Sequence, residues 1–343
     1  MDESQTVPTA GIWAKLSIWF STVLHPNKIR PRSKGIIAAL SSAVFLGMMP
    51  IFGKQAIDMG VNPMAVVAIR TIFATILLML AVVLLYRPYL YIYPAGMLGC
   101  LLAGWINGIG SLFYYSALAR IDASVGHMLY SLYPLFLAIW LFLDRQIPNR
   151  ITLLRIILAI PAIYLLTQAE TGKVDTIGVL EMLVASALYA LHIPINQRVL
   201  SDMPAPTVTL YTLIAMSSVV LPAYFVSRAG DLPENTQVWW PLLGLTLMTF
   251  FSRLALFSGV KRIGAMQTAL LGLSELFVAV IFSYLWLGEQ LSVLQWIGAL
   301  LLITSLLLIK ADKSHPWERH ASVWFGWVKP PTLNKEYPWH SNK

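Results

Sequence analysis

Two charged residues, Arg253 and Glu275, stand inside long apolar stretches of this chain. A charge near the centre of a bilayer costs about 2.5–3.5 kcal/mol on insertion scales, so such residues usually pair or carry function. In the helices predicted for these stretches, the two residues differ in depth by about one turn, so an ion pair is sterically reasonable. The pair could brace two helices. Alternatively, Arg253 could bind an anionic group while Glu275 binds an amino group or carries a proton.

Uncharged polar side chains in other apolar stretches are further candidates for lining a binding cavity. Four residues recur at i, i+3, i+4 and i+7 and share one helix face, where the proline could kink the helix into a cavity: His127, Tyr130, Ser131 and Pro134. Ordinary interhelical hydrogen bonding is the alternative for these residues and for six others, namely Gln267, Ser274, His192, Asn196, Asn107 and Tyr114. Aromatic side chains, including Tyr133 and Phe257, would suit stacking or cation–π contact with a solute.

A second group of residues is expected to act in gating or structure. Pro50 and Pro194 each remove a helix hydrogen bond and are natural flexion points. Arg70 lies nearer the outer end of its apolar stretch, which favours a structural or gating role. Gly104 and Gly108 form a GxxxG pattern, which predicts close helix packing.

The elements that must position these residues are membrane helices. Hydrophobic residues make up 57% of the 343 residues and charged residues 12%, and the mean hydropathy is +0.69. A membrane helix needs about 20 mostly apolar residues. Ten such spans are predicted, giving an all-α integral membrane protein; they cover residues 35–57, 63–86, 92–118, 123–143, 151–168, 177–200, 206–227, 238–260, 265–287 and 293–309.

The second half of the chain repeats the first. Three segments recur 144 positions later, namely Ser42-Ala43 as Ser186-Ala187, Pro50-Ile51 as Pro194-Ile195, and Lys54 as Arg198. Later matches have offsets of 142 and 141, as in Ser116 with Ser258 and Leu135-Phe136 with Leu276-Phe277. Each unit holds five spans, so the two units must have opposite orientations in the membrane. Inverted repeats place a solute site near the bilayer midplane at their interface, which predicts transport by alternating access.

The distribution of positive charge predicts the orientation. With both termini in the cytoplasm, seventeen Lys and Arg residues lie on the inside and four on the outside. The net charge of +8 is therefore a topology signal with some contact to anionic lipid, and no nucleic-acid partner is expected.

The resulting organisation has four parts in a multi-pass protein of the inner (plasma) membrane. Residues 1–34 form a cytoplasmic segment, predicted to hold either an interfacial amphipathic helix or an unstructured tail. The two repeats occupy residues 35–168 and 177–309, and residues 310–343 form a cytoplasmic tail.

No signature of an enzyme is found. The sequence has no HExxH, GxSxG or P-loop motif and no histidine pair at metal-ligand spacing. We therefore expect no enzyme activity, no metal, and a secondary carrier rather than a pump. No cofactor is expected, and coupling to protons is left open. A small-molecule solute and membrane lipids are the expected partners, with the oligomeric state undetermined.

Several segments resemble a known family. They are Phe45-Leu46-Gly47 through Lys54, Ala68-Ile69-Arg70, Val260-Lys261-Arg262-Ile263-Gly264-Ala265, Leu285-Trp286-Leu287-Gly288-Glu289 and Leu294-Gln295-Trp296-Ile297-Gly298. On these segments, residues 35–309 resemble the EamA transporters of the drug/metabolite transporter superfamily. The resemblance implies a ten-helix inverted-repeat bundle whose central cavity is lined mainly by spans 1, 3, 4, 6, 8 and 9, usually for export of small metabolites. The chain departs from that pattern at Arg253, Glu275 and Asp144-Arg145.

The sequence thus predicts a secondary transporter that exports a small polar or amphipathic metabolite, with amino acids and related compounds first. A lipid-linked sugar flippase is the alternative within transport. A transport-inactive membrane sensor or scaffold on the same fold is the alternative outside it, and solute flux into proteoliposomes separates the two classes.

Overall fold

The computed structural model describes residues 31–143, 150–166, 175–227, 236–288 and 293–308, and the secondary structure of these residues is helical. The α-helices in them are α1 Pro31–Asp58, α2 Pro63–Leu85, α3 Pro94–Arg120, α4 Ala123–Tyr130, α5 Tyr133–Leu143, α6 Arg150–Leu166, α7 Thr176–Leu200, α8 Ala205–Val226, α9 Trp239–Ile263, α10 Ala265–Gly272, α11 Glu275–Phe282 and α12 Val293–Leu307. Short 3-10 helices at Arg87–Leu90 and Thr236–Val238 and a π-helical turn at Ser283–Leu287 complete them.

These helices confirm an all-α membrane fold. Within the described ranges, seven helical stretches are long and apolar enough to cross a bilayer: α1, α2, α3, α7, α8, α9 and the run from α10 to Trp286. The fourth predicted span is divided into two short helices, and the fifth and tenth correspond to helices of 17 and 15 residues. The predicted N-terminal interfacial helix, the C-terminal tail and Asp144-Arg145 lie outside the described residues.

Helix packing follows the sequence repeat. Helix α1 packs against α9, and its repeat counterpart α7 packs against α3. Likewise, α2 contacts α9 in the same way that its counterpart α8 contacts α3. Two further contacts join corresponding helices of the two units, namely α2 with α8 and α6 with α12. Each of these pairings has its counterpart, so the units are related by an approximate two-fold axis. Helices α1, α3, α7 and α9 surround that axis.

The fourth and ninth predicted spans are each interrupted by a turn at matched positions. Helix α4 ends at Tyr130 and α5 begins at Tyr133, while α10 ends at Gly272 and α11 begins at Glu275. Pro134 lies in the first turn of α5, where a missing N–H and a fixed φ suit a helix start. The expectation of a proline-kinked continuous helix is therefore wrong, because Pro134 helps to start a second helix. Irregular backbone at membrane depth occurs where it is buried in protein or lines a cavity.

The carbonyls left free at the two breaks bind side chains from the opposite repeat. The Tyr133 hydroxyl donates to the carbonyl of Ala269 in α10, at 3.0 Å. The Ser186 hydroxyl of α7 donates to the carbonyl of Tyr130 at the end of α4, at 2.8 Å. Free carbonyls at a helix end need such partners when water is excluded. Each break is thus held by the other repeat.

Glycines allow the closest helix approaches. Gly104 of α3 packs against Ala215 and the Thr212 carbonyl of α8, and Gly108 packs against Val219, as the GxxxG pattern predicts. Gly47 of α1 faces the backbone carbonyl of Glu275, and any side chain at that position would overlap it. Helix α1 therefore lies directly against the break between α10 and α11.

Candidate functional site

A cavity lies between the two repeats beside both helix breaks, and it is called the central cavity below. Its walls come from both units: Leu46, Met49, Arg70, Asn107, Gly110, Ser111, Tyr114, Tyr115, His127, Tyr130, Ala185, Tyr189, Arg253 and Glu275. They belong to α1, α2, α3, α4, α7, α9 and α11. The volume is about 30 Å³, enough for one or two water molecules. This conformation therefore leaves little room in the cavity for an organic solute.

Arg253 of α9 is held in the wall by the other repeat and by α7. Its side chain is buried, and its Nη2 donates to Asn107 Oδ1 at 3.3 Å. Its Nη1 lies 3.3 Å from His192 Nε2, which must accept because a guanidinium has only donors. The proton of His192 is then on Nδ1, which contacts the carbonyl of Tyr189. A neutral His192 thus positions Arg253, whose guanidinium lies 5.5 Å from the centre of the Tyr189 ring.

Arg70 also faces the central cavity, although its sequence position indicated a gating or structural role near the outer end of α2. Only 2% of its surface is exposed, and its Nη1 donates to Thr249 Oγ1 at 3.3 Å. The guanidinium lies 4.8 Å from the centre of the Tyr115 ring. Thr249 precedes Arg253 by one turn on α9, so Arg70 bonds to α9 one turn away from Arg253. The Nε atoms of both arginines have no hydrogen-bond partner.

Glu275 is the acidic group of the central cavity and the first residue of α11. Its carboxyl is 1% exposed, and neither oxygen has a hydrogen-bond partner. Its Oε1 lies 3.9 Å from Nε2 of the equally buried His127, too far for a hydrogen bond. No nitrogen–oxygen distance of 4.0 Å or less joins Glu275 to Arg253. The two side chains therefore face the same cavity but do not form the direct ion pair that their predicted depths made sterically reasonable.

The other candidates fall into three groups. Asn107, Tyr114 and Tyr130 line the central cavity, as do His127, Arg253 and Glu275. His192 lies directly behind Arg253. The structure therefore brings together most of the residues that stood out as polar groups in apolar stretches.

The second group consists of three candidates that form local structure. Ser131 donates to the His127 carbonyl and Ser274 to the Leu271 carbonyl, both at 2.8 Å, so each hydroxyl adds a bond to a carbonyl that also accepts the backbone N–H of the same serine. Asn196 donates to the His192 carbonyl at 3.0 Å and accepts from Thr212 at 3.1 Å, which ties α7 to α8.

Four other candidates lie elsewhere in the helices. Gln267 is half-buried on α10, outside the cavity lining. Phe257 is buried against the His192 ring, with 6.3 Å between ring centres. Pro50 and Pro194 lie inside α1 and α7, at the positions expected for flexion points.

Sequence reasoning missed two aromatic residues of the wall, Tyr115 and Tyr189. The Tyr130 ring lies 4.9 Å from the Tyr114 ring and 5.0 Å from the Tyr189 ring, measured between centres, so tyrosines form a continuous surface. The available signals were weak: Tyr115 directly follows Tyr114, and Tyr189 precedes His192 by about one turn.

The chemistry of the wall suits an organic solute. It offers two guanidiniums, one carboxyl group, one imidazole and several tyrosine rings. In the part of the chain that the structure describes, no group of three or more His, Cys, Asp or Glu residues is placed to hold a metal. The polar groups can bind charged or hydrogen-bonding atoms of a solute, while the rings contact an apolar body.

Comparison with known proteins adds the family. The model of the EamA-like transporter family matches twice, over residues 33–168 and 176–311, which is once for each repeat. The uncharacterized transporter YcbK of Bacillus subtilis (strain 168) is 25% identical over 289 residues, covering 79% of this chain and 91% of that protein. A protein of known crystal structure aligns with a TM-score of 0.67 over 82% of this chain and 97% of its own, at 13% identity, which is a likeness of fold alone.

Proposed function

Because this chain belongs to the EamA-like transporter family, we propose that it is a secondary transporter of a small polar or amphipathic organic solute. Amino acids and related compounds are the first candidates. The observation that carries the proposal is the central cavity, which lies between the two repeats and is lined by buried polar side chains that keep some nitrogen or oxygen atoms without a hydrogen bond. The similarity to a relative named a transporter also supports transport and gives no support to an enzyme.

The unpartnered groups indicate that the central cavity is built to be occupied. Arg70, Arg253, His127 and Glu275 each keep side-chain nitrogen or oxygen atoms that are buried without a hydrogen bond. Each such group costs about 1–3 kcal/mol of stability, and more when it is charged. Such unpartnered groups are tolerated where a bound solute or water supplies the missing hydrogen bonds. Because the volume is small, we propose that the repeats separate before a solute larger than water enters.

We assign that separation to the helix breaks and prolines. The turns between α4 and α5 and between α10 and α11 lie at matched positions, and each is bonded to the opposite repeat. Movement of one repeat against the other would therefore shift the half-helices that line the central cavity. Pro50 and Pro194 would allow α1 and α7 to bend with them.

The membrane, the direction and the energy source complete the proposal. We place the chain in the inner membrane, with both termini cytoplasmic and the solute exported. Exposed apolar side chains such as Leu84, Phe225 and Val226 would contact lipid. Where transport is coupled to protons, the facing pair of Glu275 and His127 would be the carrier.

Two measurements test the proposal. Metabolites inside and outside cells that express or lack the protein should first reveal a solute that leaves only with the protein. The purified full chain in proteoliposomes should then catalyse flux of that solute above protein-free vesicles. A protein that is correctly inserted but gives no flux of any solute would instead be a sensor or scaffold.

A further inference from the structure

We propose that the solute of the central cavity is a net anion whose acidic group binds between the guanidiniums of Arg70 and Arg253. This inference rests on the proposed transport function and narrows its substrate class. Among the small solutes considered above, it favours organic acids over zwitterionic amino acids.

The charge balance of the central cavity is the first argument. Arg70 and Arg253 both carry a fixed positive charge, and Glu275 is the only acid among the described residues that line the cavity. His192 is neutral because its Nε2 accepts from Arg253, and protonation of His127 would only add positive charge. The site therefore has an excess of at least one positive charge. A buried charge without a counter-ion is unfavourable, and a zwitterion leaves the excess in place whereas a net anion removes it.

The unpartnered donor atoms of the two arginines are the second argument. Arg70 reaches Thr249, and Arg253 stands one turn further along α9, so the two arginines meet the cavity wall at neighbouring turns of that helix. Each keeps an unpartnered Nε, and each side chain is more than nine-tenths buried. Carboxylate and phosphate oxygens are the acceptors that such planar donors match. Within the described ranges, no carboxylate of the protein lies within 4.0 Å of either guanidinium.

The tyrosines indicate the rest of the solute. Tyr115 lies under the guanidinium of Arg70 and Tyr189 under that of Arg253. Tyr114 and Tyr130 continue the surface between them. A flat, unsaturated body beside the acidic group would stack on these rings. The solute class is accordingly an aromatic or unsaturated organic acid.

Matched probes test this with the purified full chain in detergent. Phenylpyruvate, phenylalanine and phenethylamine share a ring and differ in charge, and phenyl phosphate separates phosphate from carboxylate recognition. Affinity is read from the shift in melting temperature with probe concentration. We expect phenylpyruvate or phenyl phosphate to bind at least about tenfold more tightly than phenylalanine, because the ammonium group meets the excess positive charge. Phenethylamine should bind most weakly.

Variants of the two arginines test whether these residues are responsible for the tighter binding of anions. Arg70→Gln and Arg253→Gln should each weaken binding of the anions by about tenfold or more and reduce their advantage over phenylalanine. Arg120→Gln is the matched control, because Arg120 is partly exposed and pairs with Asp175 and Glu181 at the end of α3. Its affinities should equal those of the unchanged protein. The probe comparison in the unchanged protein needs no variant, so a variant that fails to fold leaves the test intact.

The two proposals fail differently. Phenylalanine binding as tightly as the anions, or no stabilisation by either anion, would overturn the anion site even if proteoliposomes showed flux of another solute. Anion binding that is lost in both variants would support the anion site even if vesicles showed no flux, a result that would contradict transport instead.

Discussion

Glu275 and His127 face each other in the wall of the central cavity, with 3.9 Å between Oε1 and Nε2 and no hydrogen bond to either side chain. One residue comes from each repeat. Since neither group is satisfied within the protein, both are available to a solute or a proton. Removing the charge of Glu275 without changing its shape is therefore the most direct test of function.

Glu275→Gln should reduce transport at least about tenfold while abundance stays near that of the unchanged protein. Glutamine fills the same space but can neither balance the arginines nor exchange a proton. The initial rate of solute uptake by proteoliposomes, normalised to inserted protein, is the measurement. Glu181→Gln is the control, because Glu181 pairs with Ser116 and Arg120 away from the central cavity. A fully active Glu275→Gln protein would make Glu275 a structural residue only.

Replacing Pro50 and Pro194 together with Ala should slow transport several-fold and leave abundance nearly unchanged. Alanine restores a helix hydrogen bond in α1 and α7 and stiffens both helices. The turnover rate in proteoliposomes, compared at equal abundance, is the measurement. Pro222→Ala serves as the control, since Pro222 lies inside α8 with an exposed side chain. Unchanged turnover in the double variant would reduce both prolines to packing residues.

Gly47→Ala should destabilise the protein by about 1–3 kcal/mol, because the added methyl group meets the Glu275 carbonyl and Val278. The melting temperature in detergent, together with the transport rate, would show whether α11 is displaced. Gly108→Ala is a milder change, since the nearest atom to its methyl group would be Val219 Cβ at 3.1 Å. Equal melting temperatures for the two variants would contradict the close contact between α1 and the helix break.

Cytoplasmic termini predict which loops a membrane-impermeant thiol reagent reaches from outside. In a Cys100→Ala background, Met59→Cys should be labelled in intact cells and Tyr91→Cys only after the membrane is opened. Both positions are exposed, at 41% and 44%, so access to the side chain is not limiting. The reverse pattern would invert the orientation and the direction proposed here.

The seven long apolar helices among the described residues could be predicted from the sequence, and so could a bend near Pro134, but the break in the ninth span could not. Apolar runs and flanking prolines located α2 and α3 closely. The half-helices α4 with α5 and α10 with α11 are as apolar as continuous spans, and although Pro134 indicated a bend in the fourth span, the ninth has only Gly272, a weak helix breaker. A local pattern does not show that a turn at membrane depth will find hydrogen-bond partners in the other repeat.

The charged residues of the candidate site could be predicted from the sequence, but their contacts could not. Arg253 and Glu275 stand out because charge is rare in apolar spans. Their contacts were not predictable, because Arg253 binds Asn107 and His192, which lie 146 and 61 residues away in the sequence. Tyrosines such as Tyr189 carry no comparable signal, since aromatic residues are frequent in membrane helices.

The two-fold arrangement of the helices is not matched by the ionisable groups. At the repeat offsets of 142 and 141, Arg253 corresponds to Ser111 and Glu275 to Pro134. In a perfectly duplicated carrier, exchanging the conformations of the two halves would convert the outward-open state into an inward-open state of equal energy. In this chain Arg253 and Glu275 both belong to the second repeat, so an exchange of conformations between the repeats does not exchange their charges. Under the proposed alternating-access transport, this asymmetry gives the two open states different energies and the empty carrier a resting orientation.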